Sequence, residues 1–362
     1  MGTLFDYLDW RGDIPFSTIG VGEVDNMIFS QICYIDFKRI VPASFSARPV
    51  SFLSVAKRYV QTHKGEPINL GFIMPPEVVT TLTKAARSAR FSSTSVIGYV
   101  NKVSGADQIQ FSAMTFLVGD SEMFIAFRGT DDTIIGWKES LNMSFLSPIP
   151  AQTEAVRYVE KAARAFPDRK IYVGGHSKGG NLAVFGAVKC AQDVNRRIVA
   201  IYNNDGPGFD KGFIGSESYS ATRDRIHTLV PQTSIVGMLL EHEDRYDVVQ
   251  SSMTGLLQHN AFSWAVQGST FIRNASITAE SRKIDRTLKQ WMNEISAEER
   301  KKTVDSLYEI LASTNAKTLT DLNADKLKLL RAWNSLDADS KKIVKRCISL
   351  ILKNTKKQRD VN

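Results

Sequence analysis

The residues whose types and spacing could do chemistry sit together at Gly174-Gly175-His176-Ser177-Lys178-Gly179-Gly180-Asn181. Within this run, Gly175-x-Ser177-x-Gly179 has the form of a nucleophile elbow, a sharp strand-to-helix turn that presents a serine hydroxyl above a sheet. Spacing alone is a weak signal, since a chance match occurs in about one chain in ten of this size when glycine is ~7% of residues. The flanks strengthen it. Ile171-Tyr172-Val173 reads as a short buried strand, and Asn181 to Ala191 as an apolar helix. Gly175, His176 and Gly179 would then be elbow residues, the glycines removing Cβ atoms where strand and helix crowd the turn. A phosphate-binding turn is the plainer alternative, and the apolar strand and helix argue against it.

An activated serine needs oxyanion donors, a base and an acid. Phe124 to Asp131 is an apolar strand ending in a polar turn, Arg128-Gly129-Thr130. Its Thr130 N–H, with or without the hydroxyl, and the Lys178 N–H are the expected donors, because this fold draws one from an early strand's loop and one from the residue after the nucleophile. The chain order is serine, acid, histidine. Of five histidines, His242 and His259 follow the serine far enough downstream. His259 lies a short loop beyond the last expected strand and is the expected base; His242 is the alternative. Asp205, after the buried strand Ile198 to Tyr202 and within Asp205-Gly206-Pro207-Gly208, is the expected acid. Asp247 is the alternative, and an Asp before Gly also serves as an ordinary turn residue. The apolar stretch Ile235, Val236, Met238, Leu239 and Leu240 is expected to wall the substrate pocket or form a lid, with a plain core segment as the other reading.

With these residues in place, the chain resembles the class 3 (fungal-type) lipases in Phe124 to Leu141 and in Gly175 to Gly180. It resembles more closely a bacterial lipase-like α/β-hydrolase family of undefined substrate. The shared residues there are Tyr7-Leu8-Asp9-Trp10-Arg11-Gly12, Asn204 to Phe209, and Gln258-His259. The resemblance covers about Met1 to Phe271. It implies an α/β-hydrolase fold, hydrolysis of acyl esters without a metal or cofactor, and His259 as base. In class 3 lipases the acid precedes a Val-Pro-like segment; the corresponding Pro231 to Gly237 here holds no carboxylate.

These residues must be carried by a scaffold. Phe111 to Val118 and Met123 to Phe127, separated by Gly119-Asp120-Ser121, read as a hairpin. Glu77 to Ala89 and Glu154 to Phe166 read as helices, and Ile226 to Val230 and Asp247 to Gln250 as further strands. The expected fold is therefore α/β: a mostly parallel central sheet flanked by helices. The hydrolase region is expected over 1–278, with 1–105 as its N-terminal extension. A basic all-helical appendage is expected over 279–362, from Lys283 to Ile295, Ala297 to Ala312, Thr320 to Trp333 and Asp337 to Leu352. Ser296 and Glu299 offer a capping box.

Bulk properties exclude several classes. Hydrophobic residues are 43% and charged residues 23%, ordinary values for a globular chain. No apolar run reaches a membrane span, and the N-terminus has no signal-peptide pattern, so a cytoplasmic location is expected, with peripheral membrane association as an addition. Cys33, Cys190 and Cys347 are too few and too scattered for a disulfide framework or zinc cluster. From Ser281 onward there are 19 Lys and Arg against 11 Asp and Glu, an excess equal to the whole chain's net charge of +8. That basic region could meet anionic headgroups. Nucleic acid is not expected, since no aromatic residues interleave the basic ones. The leading function is a serine esterase or lipase acting on lipid or small acyl esters. The alternatives are a thioesterase or amidase with the same machinery, and a catalytically silent binding or regulatory protein on a hydrolase scaffold.

Overall fold

The computed structural model describes residues 2–64, 75–241 and 245–312, together with 317–318 and a few positions between 333 and 345. Eleven strands lie among them: β1 (Val50–Ser51), β2 (Thr94–Ser104), β3 (Ile109–Val118), β4 (Glu122–Phe127), β5 (Lys170–His176), β6 (Ile198–Asn204), β7 (Ile226–Pro231), β8 (Asp247–Val249), β9 (Val266–Gln267), β10 (Thr270–Phe271) and β11 (Arg273–Asn274). The long helices are α1 (Leu4–Arg11), α2 (Glu23–Ile32), α3 (Phe52–Thr62), α4 (Glu77–Arg87), α5 (Ile134–Asn142), α6 (Pro150–Ala165) and α7 (Lys178–Lys189). Three single turns follow, α8 (Gln192–Asn195), α9 (Lys211–Ile214) and α10 (Glu217–Ser220), and then α11 (Ala279–Glu294) and α12 (Ala297–Ala312).

The main sheet runs β1-β2-β3-β4-β5-β6-β7-β8-β11. Its fold class is α/β, but the expected mostly parallel sheet is corrected to a mixed one. Pairing is parallel from β4 through β8 and antiparallel from β1 to β4 and between β8 and β11. Connection length decides this. The Gly119-Asp120-Ser121 link between β3 and β4 is too short for a crossover, whereas α5 and α6, then α7 and α8, span the gaps that parallel neighbours need. The hairpin of β3 and β4 forms as its sequence predicts.

Both sheet faces are covered, and the period of two along each strand divides the core. Met114, Phe116, Phe124 and Ala126 face one cluster, shared with α1, α2, α3 and α4. Ala113, Leu117, Met123, Ile125 and Phe127 face the other, under α6 and α7. Strands buried on both faces lose hydrophobic alternation, which is why β3 is apolar almost throughout. The N-terminal block is pinned by Arg90, which pairs with Asp25 at 2.5 Å and donates to the carbonyls of Ile14, Ile19 and Gly20. The sheet begins within that block, since β2 pairs with β3 across Gly105.

The first two expected C-terminal helices are α11 and α12, and the Ser296–Glu299 capping box is made in both directions, at 3.1 and 3.2 Å. The third and fourth lie largely outside the described residues, so the expected anionic-membrane surface lies only in part among the described ones. Among the described residues, no helix is long and apolar enough to cross a membrane. Cys33 and Cys190 are buried thiols whose pKa burial pushes up to about 12.

Candidate active site

Ser177 stands where β5 ends and α7 begins, at φ 59° and ψ −133°. Such a conformation costs of order 1–3 kcal/mol for a residue with a side chain. It is held by a hydrogen bond from Ser177 N to Asn204 O at 2.9 Å and by Gly180 N to Ser177 O at 2.9 Å. The two elbow glycines are sterically required. A Cβ on Gly175 would lie 2.3 Å from the Gly179 backbone, and one on Gly179 would lie 2.2 Å from Phe127 O. Ser177 is the one partly exposed residue in an otherwise buried run from Ile171 to Val188. Its hydroxyl has no hydrogen-bond partner among the described residues.

Asp205 follows β6 directly, at φ 50° and fully buried, its N–H donating to Leu229 O at 2.7 Å. Three donors converge on its carboxylate. His259 Nδ1 lies 2.6 Å from Oδ2, while Ser234 Oγ at 2.5 Å and Gly237 N at 3.1 Å share Oδ1. A carboxylate accepts, so the His259 Nδ1–H donates to Asp205, and Nε2 is the ring nitrogen left clear of it. The His259 ring lies against that of His176, the residue before Ser177, with centroids 4.4 Å apart and the planes tilted by 32°. The His259 backbone is held as well: His176 Nε2 donates to His259 O at 2.8 Å, and Tyr34 Oη lies 3.2 Å from His176 Nδ1. A carbonyl only accepts, so the His176 proton sits on Nε2 and Nδ1 accepts from Tyr34. Burial, and then the neighbouring His259, hold the His176 pKa well below its ordinary value, which keeps that ring neutral.

The turn after β4 lies against the elbow. A Cβ on Gly129 would be 3.0 Å from Ser177 Cβ. The Thr130 and Lys178 N–H groups have no partner among the described residues, Lys178 being the first residue of α7. The Thr130 hydroxyl is turned away: Oγ1 lies 2.6 Å from Ser140 Oγ, whose own proton goes to Gly136 O at 2.9 Å. Only its backbone N–H is left to act at the elbow.

Other expected residues are not brought together here. Asp247, the alternative acid, begins β8, is exposed, and pairs with Arg273 at 3.1 Å. His242 lies outside the described residues. Within the Ile235–Leu240 stretch Val236–Met238 forms a 3-10 turn, and Met238 is buried with Val230, Val248 and Ile277. Leu240 packs on the core beneath α7, Leu239 O accepts from Gly208 N at 2.8 Å, and Ile235 and Val236 are half-buried. The segment thus sits over Asp205 and supplies its Gly237 donor. Sequence reasoning missed several supporting residues. Asn204 Nδ2 donates to Gly175 O at 2.9 Å, and Asn181 Nδ2 to Pro207 O and Gly208 O at 3.1 and 2.9 Å, tying the acid's loop to the elbow. Buried amides just after a strand or inside an apolar helix were the available signal.

A mixed α/β sheet with a strained serine at a strand–helix corner defines a lipase-like α/β protein. Residues 85–309, more than half of the chain, match the Mbeg1-like family, and the chain belongs to it. No curated protein matches the chain. Among solved structures, it is similar to the Rhizomucor miehei lipase in its propeptide complex, with 20% identity and a TM-score of 0.34 over 45% of this chain. The chain spans 58% of that lipase's length. A fungal lipase–inhibitor complex is matched at 20% identity and a TM-score of 0.35, over 44% of this chain and 66% of that one. The M37 lipase is matched at 15% identity and a TM-score of 0.36, over 59% of this chain and 67% of that one.

Proposed function

We propose that the protein is a serine hydrolase that cleaves carboxylic esters through an acyl-enzyme. The observation that carries this is the Asp205–His259 hydrogen bond of 2.6 Å, formed beside a serine held at φ 59°. In this reading Ser177 Oγ attacks the acyl carbon and passes its proton to His259 Nε2. Asp205 holds the imidazole in the tautomer that can accept it. The Thr130 and Lys178 N–H groups stabilise the oxyanion, and the N-terminus of α7 favours the same charge. His259 returns the proton to the departing alkoxide. Water, activated by the same histidine, then releases the acid.

An apolar acyl group is favoured by what surrounds the base. Leu256 and Leu257, in the turn leading to His259, are 62% and 65% exposed, and Met253 is exposed beside them. Trp137 and Leu141 are exposed on α5, which follows the Thr130 turn. Large apolar residues at a site rim suit lipid or acyl-ester substrates. The region 1–278 would carry this chemistry, with the basic region from 279 as an appendage.

The test is fluorophosphonate labelling with a p-nitrophenyl ester chain-length series on wild type, Ser177→Ala and His259→Ala. Labelling and hydrolysis by wild type alone are expected, with the rate rising toward longer chains. A folded wild type that neither labels nor hydrolyses would replace this reading with that of a silent binding protein.

A further inference from the structure

Beneath the elbow lies a buried polar cluster that the reaction as written does not use. Lys178, directly after Ser177, does not reach solvent; its side chain runs inward and is 1% exposed. Its Nζ donates to Glu139 Oε2 at 2.8 Å, to Gln110 Oε1 at 2.6 Å and to Gln110 O at 2.8 Å. Glu139, on α5, is fully buried and also accepts from Gln110 N at 3.0 Å and Ala151 N at 2.9 Å. Burial pulls the Lys178 pKa down, and the Glu139 charge opposes that. A charge desolvated this fully is costly to keep unless its geometry is needed.

The cluster reaches both expected oxyanion donors. Lys178 carries one of them on its own backbone. Gln110 Nε2 donates to Gly129 O at 3.4 Å. That carbonyl belongs to the same peptide unit as the Thr130 N–H, and in a trans peptide the two point in opposite directions. Holding Gly129 O toward Gln110 therefore aims the Thr130 N–H away from it. Glu139 further ties α5, and with it the turn that carries Thr130, to the lysine.

We propose that Gln110, Glu139 and Lys178 form a positioning network that sets the orientation and spacing of the two oxyanion donors. It rests on the hydrolase reading given above. The side chains touch no reacting atom; they act through the Gly129–Thr130 peptide and the first residue of α7. Displacing a donor by a fraction of its hydrogen-bond length weakens the transition state far more than the ground state.

The test compares wild type, Ser177→Ala, Lys178→Met, Glu139→Gln and the double variant Lys178→Met/Glu139→Leu. Each single variant is expected to lower kcat about 10–100-fold with KM within about twofold. Singles that leave a charge unpaired also lose thermal stability, which the apolar double variant regains. The double variant is expected to remain slow although stable, and its Thr130 amide NMR resonance to move from the wild-type position. A double variant that recovers kcat along with its Tm, with the Thr130 resonance unmoved, would reduce the cluster to scaffolding and overturn the proposal. A wild type inert toward esters would fail the hydrolase reading instead, and the Thr130 resonance still decides the positioning claim.

Discussion

Among the described residues two ion pairs are fully buried, and they hold different things. Arg90–Asp25 is 1% and 0% exposed and lies in the N-terminal block; Lys178–Glu139 has the same exposures and lies under the elbow. Around the first, the other acceptors are loop carbonyls of residues 14, 19 and 20, and Tyr7 adds a hydroxyl donor to Asp25 at 2.8 Å. It organises a loop that has neither helix nor strand ladder to satisfy its backbone. Around the second, the partners belong to β3, α5 and the segment that begins α6. The same device thus fixes a scaffold in one place and, by our proposal, the donors of a reaction in the other. The contrast predicts separable defects: stability without activity at one end, activity without stability at the other.

The largest effect belongs to the site. Asp205→Asn keeps an oxygen for the Ser234 and Gly237 donors but loses the acceptor that selects the His259 tautomer. A fall in kcat of about 10⁴-fold is expected, as for other triads deprived of this carboxylate, with an unchanged thermal midpoint. Steady-state ester hydrolysis alongside a melting curve checks it. Activity within tenfold of wild type would mean that Asp205 does not orient the base.

Next in size is the scaffold pair. Arg90→Met leaves the Asp25 carboxylate buried without its charge partner and strands three loop carbonyls. Such a loss costs about 3–5 kcal/mol, read as a shift in the urea unfolding midpoint. The kcat per molecule titrated by fluorophosphonate is expected to stay at the wild-type value. A parallel fall in that kcat would show that the N-terminal block shapes the site, and the contrast between the two pairs would dissolve.

What the sequence made legible follows the range of the interactions. The elbow is local: a strand, a five-residue turn and a helix state themselves in consecutive residues, so Ser177, Gly175 and Gly179 could be read directly. The hairpin of β3 and β4 was legible for the same reason. Asp205 and His259 were reachable through chain order, although 54 positions separate them. What escaped were contacts between distant buried polar groups. Nothing in Gln110 or Glu139 marks them in sequence, because their role exists only once β3 and α5 are packed. For Lys178 the sequence marked only its backbone N–H; the inward course of its side chain is set by the packing of β3 and α5. In the Ile235–Leu240 run the apolar side chains suggested an acyl wall or a plain core segment, and the sequence did not mark the backbone N–H of Gly237 between them, which serves the acid. Sheet direction was misjudged because apolar strands look alike whether parallel or antiparallel, and only the length of the links separates them.

The smallest effect sharpens the comparison through pH. His176 is buried and neutral, with its pKa well below the ordinary value. Its unfolded form, near 6.5, binds a proton that the folded form refuses. The stability it contributes is therefore fully present above about pH 6.5 and is lost as pH falls below that value toward the folded pKa. The slope reaches at most about 1.4 kcal/mol per pH unit for one such group. His227, also lowered by burial, adds a share of its own, so the difference between two proteins is the useful quantity. Urea unfolding of wild type and His176→Gln between pH 7.5 and 5.5 is expected to show a shallower decline in the variant. Glutamine keeps a donor for His259 O, so part of the ring's positioning survives while the titration does not. Equal slopes would mean that His176 accepts a proton in the folded state, and the neutral tautomer bridging Tyr34 and His259 would have to be abandoned.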